Sequence, residues 1–118
     1  MNKFSIGKNY TPSGSNTTAT LFTVPDSFVA KIDYMLVSAK ESKKFGLTWH
    51  DLGTTTDVDI IPYETALTAG ATRTFENVDI LLQAGDTVKI EAEDGSNTSV
   101  IVTFDIFPSN GVTNNFHD

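Results

Sequence analysis

The chain has 118 residues, with 15 acidic and 8 basic side chains, a net charge of −7 and no cysteine. This length suits one domain that buries roughly two thirds of the surface its unfolded chain exposes. The negative charge disfavours a surface that holds nucleic acid phosphates. The lack of cysteine excludes disulfides, thiol nucleophiles and cysteine-ligated metals, and it fits a reducing compartment.

No targeting or membrane-spanning segment is predicted. Residues 1–20 lack the apolar run of about 7–15 residues that a cleaved secretory signal requires. No stretch of about 18 apolar residues could span a membrane as a helix. We therefore expect a protein without membrane contacts.

The first seventeen residues are polar and loop-like, and only Phe4, Ile6 and Tyr10 could anchor them. We predict a flexible N-terminal arm over residues 1–17. In this interpretation, Phe4 and Ile6 form an edge strand on a neighbouring subunit or on a capsid shell. The alternatives are a frayed tail and a strand that folds back onto the chain's own sheet.

Short segments with alternating apolar residues follow, separated by turn residues. The predicted strands cover residues 19–24, 28–37, 44–50, 57–63, 72–75 with a continuation through a bulge to 82, 87–93 and 99–107. Seven or eight such strands predict an all-β, single antiparallel β-sandwich over residues 18–108, either jelly-roll-like or immunoglobulin-like. Pro62 places the end of its strand at a sheet edge. Residues 109–118 are predicted to be a C-terminal tail.

A ten-residue pattern occurs twice, at residues 67–76 and 82–91. Both copies read Leu-x-Ala-Gly-x-Thr-x-x-apolar-Glu. Gly70 and Gly85 are predicted to adopt positive φ at the turn, and the residues after them suit a pleated strand. The repeat therefore marks two turn-to-strand junctions.

Apolar alternation also predicts which side chains point inward. On the closing strand, Phe104 should be buried, as should Ile32 and Ile90 on other strands. The inward face of the strand 28–37 is predicted to begin with Phe28, Ala30, Ile32 and Tyr34.

Few residues suit catalysis. A nucleophilic triad needs a histidine oriented by an acid, and only His50 and His117 are available. His117 lies in the predicted tail. His50 precedes Asp51 on a strand, and adjacent strand residues point to opposite faces, so this pair does not form an orienting hydrogen bond. We therefore expect no enzyme.

Two pairs of carboxylates lie at alternate strand positions: Asp57 with Asp59, and Glu91 with Glu93. Such pairs are typical of a solvated strand face. The alternatives are ligands of a structural cation, which would need six to eight oxygens for calcium, and an acid pair of the glycosidase type. We expect neither a metal nor another cofactor.

Trp49 and Tyr63 are candidates for an aromatic platform that binds a glycan. Trp49 shares a strand face with Phe45 and Leu47. That pattern is more typical of a core tryptophan than of a ligand platform.

Several phrases along the chain resemble one family. They are Thr20-Leu21-Phe22-Thr23-Val24-Pro25, the predicted strand 28–37, Leu67-Thr68-Ala69-Gly70 and Ile80-Leu81-Leu82-Gln83-Ala84-Gly85-Asp86-Thr87-Val88. In this order they resemble the small β-sandwich virion proteins of tailed bacteriophages, both head decoration and tail-associated ones. Members commonly carry an Asn-rich turn after the second strand, where this chain has Lys40 to Lys44. The family contributes no catalytic residues.

The resemblance implies a non-enzymatic structural protein of a phage virion, made in the host cytoplasm and placed on the capsid surface. We expect a capsid decoration (cement) protein, forming a homo-oligomer and contacting the major capsid protein or other virion proteins. No nucleic acid or membrane partner is expected. The alternative is a tail- or fibre-associated module that binds a host glycan through Trp49 and Tyr63.

Overall fold

A computed structural model describes residues 2–12 and 18–109. The predicted tail from residue 110 onward, with His117, lies outside the described residues. The strands are β1 (Asn2–Tyr10), β2 (Thr18–Thr23), β3 (Phe28–Ala39), β4 (Lys44–Asp51), β5 (Thr56–Ala66), β6 (Thr72–Leu82), β7 (Thr87–Ala92) and β8 (Thr98–Pro108). In these two ranges, no helix is long and apolar enough to cross a membrane. The predicted all-β class is confirmed.

The strands form two four-stranded antiparallel sheets that pack face to face. The order is β1-β8-β3-β6 in the first sheet and β2-β7-β4-β5 in the second. The pairs are nested along the chain: β4 pairs with β5, β3 with β6, β2 with β7 and β1 with β8. The result is an eight-stranded, two-sheet antiparallel β-sandwich. It differs from the immunoglobulin arrangement of seven or nine strands.

The prediction that the N-terminal residues form a separate arm is wrong for β1. All nine residues of β1 pair antiparallel with β8 of the same chain. Phe4 lies opposite Phe104, with ring centroids 6.1 Å apart, and Ile6 and Tyr10 pack against the core. Pairing with β8 gives the backbone N–H and C=O groups of β1 hydrogen-bond partners, whereas in an isolated arm these groups would bond to water. The sandwich therefore begins at Asn2, and not at residue 18.

A β-bulge in β3 overturns part of the predicted inward face. Between Ile32 and Tyr34, β3 has one extra residue relative to β8. Over the same interval β6 has two extra residues relative to β3, because Ile32 pairs with Ile80 and Tyr34 with Glu76. Beyond the bulge Val37 is fully buried, whereas Tyr34 lies opposite Thr103 on the outer face. Because side chains alternate with a period of two, one inserted residue turns the rest of the strand over. Phe28, also predicted inward, is 36% exposed.

The core lies between the inner faces of the two sheets, and its predicted centre is confirmed. Ile32 and Ile90 are fully buried, and Phe104 is 5% exposed. The Phe104 ring stacks on Phe22 of the opposite sheet, with centroids 4.8 Å apart and an interplanar angle of 5°. This pair joins the two sheets directly.

The repeated pattern marks the turns that lead into β6 and β7, as predicted. Gly70 has a φ of 83° and Gly85 a φ of 87°. A side chain at either position would be strained in this left-handed conformation. The two copies are therefore equivalent backbone turns on different sheets.

Charged side chains occupy inward register positions at both edges of the first sheet. One inward row runs from Lys8 on β1 through Val100 and Val37 to Arg73 on β6. Both valines are fully buried. Inward charges on edge strands disfavour pairing with another sheet. In the second sheet, Pro62 lies on the edge strand β5 as predicted.

Gly46 permits a close approach between β4 and β5. A Cβ built at Gly46 would lie 2.7 Å from the Ile61 carbonyl oxygen and 2.8 Å from the Tyr63 Cα. We expect Gly46→Ala to destabilise the fold by about 1–3 kcal/mol, because backbone atoms must move to admit the methyl group. Gly7→Ala is the matched control, since its Cβ would meet Ile101 Cγ1 at an ordinary 3.6 Å. Equal urea midpoints for the two variants would contradict the close approach.

Candidate interaction surface

Three adjacent rows on the outer face of the first sheet are poor in charge. They contain a single charged residue, Glu76, and their most exposed apolar side chain is Ile101, at 41%. We call this surface the Ile101 face. Its rows, read from β1 to β6, are Ser5-Thr103-Tyr34-Glu76, Gly7-Ile101-Leu36-Thr74 and Asn9-Ser99-Ser38-Thr72.

Side-chain hydrogen bonds connect neighbouring strands on the Ile101 face. The hydroxyl oxygens of Ser5 and Thr103 lie 2.9 Å apart, and the Ser99 hydroxyl donates to Asn9 Oδ1 at 3.2 Å. These pairs join β1 to β8. The face is therefore a sheet surface whose small polar groups are partly satisfied by one another.

The outer face of the second sheet is different in character, because charged residues are interleaved with threonines. Lys89, Glu91 and Asp59 all occupy its outer register positions. These charged positions distinguish the outer face of the second sheet from the three rows of the Ile101 face.

A charged cluster borders the Ile101 face at the end near the start of β1. Lys3 Nζ lies 2.6 Å from Asp33 Oδ2 and 3.2 Å from Asp105 Oδ1. Lys31 Nζ lies 3.2 Å from Asp79 Oδ1 and 3.6 Å from Asp33 Oδ1. The cluster connects all four strands of the first sheet, and the bulge in β3 places Asp33 between the two lysines.

These contacts shift the ionisation of the cluster. The hydrogen bond from Lys3 is the main cause that lowers the pKa of the Asp33 carboxyl below its usual value near 3.8. The hydrogen bond to Asp33 raises the pKa of Lys3, and the hydrogen bond to Asp79 raises that of Lys31. The folded state therefore favours the charged form of each group.

We expect acid to weaken the stabilisation by Asp33. A carboxyl with a lowered pKa in the folded state stabilises the fold above its unfolded pKa, and this contribution is lost as the pH falls through the folded pKa. The urea midpoints of wild type and Asp33→Asn should therefore differ at about pH 6, and the difference should shrink as the pH falls below the ordinary carboxyl pKa of 3.8.

Asp26→Asn is the control for that titration, since Asp26 is exposed in the turn between β2 and β3. Its difference from wild type should change little over the same range. A difference for Asp33→Asn that is independent of pH would show that the hydrogen bond from Lys3 does not form in solution.

His50 lies on the outer face of the second sheet and pairs with an acid other than the adjacent one. Its Nδ1 lies 2.7 Å from Asp57 Oδ1 on β5. Asp51 is 6% exposed, and its Oδ1 accepts a hydrogen bond from the Gly53 amide at 3.1 Å. His50 and Asp51 therefore have separate environments, as their opposite strand faces predict.

The paired carboxylates have different surroundings. Asp57 contacts His50, and Asp59 lies opposite Thr48 on the same outer face. Glu93 Oε1 accepts a hydrogen bond from the Lys44 amide at 2.9 Å. Within residues 2–12 and 18–109, no group of three or more His, Asp or Glu side chains is placed to hold a metal ion.

The two candidate platform residues have different neighbours. Trp49 packs against the core, and its indole N–H donates to Asp86 Oδ2 at 3.0 Å. Tyr63 lies on the edge strand β5, with Lys44 Nζ 5.3 Å from its ring centroid.

Asp86 is a structural centre that local sequence patterns do not reveal. Asp86 is 1% exposed. Its Oδ2 accepts from Trp49 Nε1 and from the Gln83 amide at 2.9 Å, and its Oδ1 accepts from the Leu52 amide at 3.0 Å. One carboxylate thus holds the turn before β7, the end of β4 and the connection to β5. The only signal in the sequence is the aspartate that follows Gly85, where the first copy of the repeat has Ala71.

Comparisons with known proteins support the fold. No protein-family model and no curated protein sequence matches the chain. Among solved structures, the chain is similar to the core of the Drosophila protein NLP, studied for pentamer formation and histone binding, with a TM-score of 0.54 and 17% identity over 91% of this chain and 99% of that one. It is also similar to a protein of the Bacillus endospore appendages, described as disulfide-linked pili, with a TM-score of 0.53 and 15% identity over 91% and 87% of the two chains.

A third similar structure is the capsid asymmetric unit of the cyanophage Pam1. Its TM-score is 0.48 and its identity is 12%, over 87% of this chain and 82% of that one. At this level of similarity it adds no argument. The first two similarities support the two-sheet β-sandwich, and they establish the fold alone.

Proposed function

We propose that this protein is a non-enzymatic structural protein of a phage virion, which decorates the capsid surface. The observation that carries the proposal is the Ile101 face, a charge-poor sheet surface on a chain whose net charge is −7. The centres of protein interfaces are depleted in charged residues. The phage-like phrases in the sequence support the same function.

The geometry of the Ile101 face suits a protein that binds in many copies. Four strands about 4.8 Å apart and three rows about 6.8 Å apart give an area of roughly 300–400 Å² per partner. Stable interfaces usually bury at least about 1,000 Å² in total. One such contact is therefore weak, and attachment requires additional contacts from an oligomer that engages several capsomers at once. The major capsid protein is the expected partner.

Quantitative mass spectrometry of purified particles tests the proposal. We expect the protein in the virion, in a copy number comparable to that of the capsomers. Absence from the particle would refute the virion role. A copy number of a few per particle would contradict decoration and favour a tail location.

A pair of variants tests which surface attaches. Ile101→Glu should reduce binding to undecorated particles, because it places a charge at the centre of the Ile101 face. Thr20→Glu is the matched control on the outer face of the second sheet, and it should bind like wild type. Equal binding by both variants would exclude the Ile101 face. Saturable binding of a host glycan that is lost in Trp49→Ala would instead favour the tail or fibre module.

A further inference from the structure

One apolar layer crosses the sandwich from the side where β1 and β2 are the outermost strands to the side where β5 and β6 are. In the first sheet its members are register partners on the four strands, Phe4, Phe104, Ile32 and Ile80. In the second sheet the corresponding register partners are Phe22, Val88, Trp49 and Val58. The stacked rings of Phe104 and Phe22 join the two rows, so both rows lie at the same level of the sandwich.

Both ends of this layer are incompletely covered. Phe4 is 48% exposed on the β1/β2 side, and Val58 is 42% exposed on the β5/β6 side. Beside Phe4 lies an open apolar groove of about 230 Å³, which Ile6, Pro25 and Ile106 also line. Because an apolar cavity of about 150 Å³ can hold benzene, the groove has room for a valine side chain.

The two sides of the sandwich carry opposite charge. β1 contains two basic residues and no acidic one, and β2 contains no charged residue; the basic residues are Lys3 and Lys8. β5 contains three acidic residues and no basic one: Asp57, Asp59 and Glu64. On β6, Glu76 and Asp79 outnumber Arg73. Two of these acids flank Val58 along the chain, and one of the lysines precedes Phe4, so the two exposed apolar ends have complementary charged neighbours.

The two sides are also large enough for a stable contact. β1 has nine residues, and at about 3.3 Å per residue it is about 30 Å long. With two sheets about 10 Å apart and their outward side chains, each side is about 20 Å wide, which gives about 600 Å². A contact between two such sides buries about 1,200 Å² in total, more than the roughly 1,000 Å² that a stable interface needs.

We propose that a second copy of this chain docks beside the first, with Val58 of one copy inserted into the groove beside Phe4 of the other. The apolar layer then continues from copy to copy, and the acids that flank Val58 face the basic strand β1. Side chains make this contact, since Pro62 on β5 and Lys8 on β1 disfavour a continuous backbone ladder. The two surfaces differ, so the interface is heterologous, and repeated docking closes a ring or extends a filament.

Sedimentation velocity of the full-length chain over a range of concentrations tests the proposal. Wild type should sediment as an oligomer. Val58→Glu should sediment as a monomer with the circular dichroism spectrum of wild type, because it places a third carboxylate at the inserted position. Ile101→Glu is the matched control, since Ile101 is similarly exposed, at 41%, but lies on the outer face of the first sheet. It should keep the wild-type oligomer. A monomeric wild type, or an oligomeric Val58→Glu, would overturn the proposal.

Mixing two variants tests the head-to-tail arrangement. Phe4→Glu alters only the groove and Val58→Glu only the opposite side, so each should be a monomer alone and the mixture should form a dimer. Because the native chain has no cysteine, oxidation of mixed Phe4→Cys and Val58→Cys copies should also cross-link the two variants to each other. Mixtures that neither form a dimer nor cross-link would overturn this arrangement.

The inference supplies the oligomer that attachment through the Ile101 face requires, and its test is separate from that of the virion role. Ile101→Glu that keeps the oligomer but loses binding to particles would support both proposals. A wild-type oligomer that is absent from virions would refute the virion role and leave the side-by-side contact standing.

Discussion

Asp86→Ala is expected to lower the free energy of unfolding by about 3–5 kcal/mol. The substitution leaves three N–H donors, those of Trp49, Leu52 and Gln83, without their shared acceptor. A buried donor without a partner costs about 1–3 kcal/mol, and the main-chain donors in turns can recover part of this from water. The loss is large against a typical total of 5–15 kcal/mol. Urea denaturation followed by Trp49 fluorescence measures it.

Asp94→Ala is the matched control for Asp86, because Asp94 is an exposed aspartate in the turn after β7. It should change stability by less than about 0.5 kcal/mol. Asp86→Asn should have an intermediate effect, since its amide group keeps one acceptor but presents an N–H₂ group to the remaining donors. If Asp86→Ala were as stable as wild type, the three hydrogen bonds would not be significant for stability.

Phe104→Ala is expected to have a comparable effect, a loss of about 3–5 kcal/mol. The ring is 5% exposed and stacks on Phe22 of the opposite sheet, so its removal leaves a cavity and removes a direct contact between the two sheets. Thermal or urea unfolding with a two-state analysis measures the change.

Phe28→Ala is the matched control, because Phe28 has the same side chain on the neighbouring strand but is 36% exposed. It should lose clearly less stability than Phe104→Ala. Equal losses would mean that burial at the centre of the sandwich does not determine the energetics.

The approximate positions of β2 to β8 were predictable from the sequence, because these segments show apolar alternation and are separated by turn residues. β7 is the clearest case, because Val88, Ile90 and Ala92 are buried and the residues between them are not. The positive φ of Gly70 and Gly85 was predictable for the same reason, because a tight turn favours glycine at such a position. These are features that a few neighbouring residues determine.

Features that depend on distant residues were not predictable. The bulge before Tyr34 is visible only in how β3 pairs with its neighbouring strands. Alternation along β3 alone therefore assigned Tyr34 to the wrong face. β1 was interpreted as part of an arm because residues 1–17 are mostly polar, and its partner strand β8 lies at the other end of the sequence. Asp86 likewise reaches Trp49 and Leu52 across more than 30 residues.

The Ile101 face also could not be predicted from the sequence. Ile101 alternates with the buried Val100 and Val102, and nothing in its own strand indicates that Gly7 and Leu36 flank it. The charge-poor character of the face emerges only when four strands are placed side by side. Sequence therefore predicted a structural role through resemblance, and geometry supplied the surface to test.

The nested pairing has a consequence for the timing of synthesis. The innermost pair, β4 with β5, is complete once residue 66 has been made, and each later strand closes around an earlier one. Asn2 pairs with Ile106, so β1 cannot pair until β8 has been synthesised. At about 5–20 residues per second, that interval is roughly 5–20 s. During this time β1 and its apolar side chains have no partner on their own chain, which makes the ribosome-bound state the stage most exposed to association with other nascent copies.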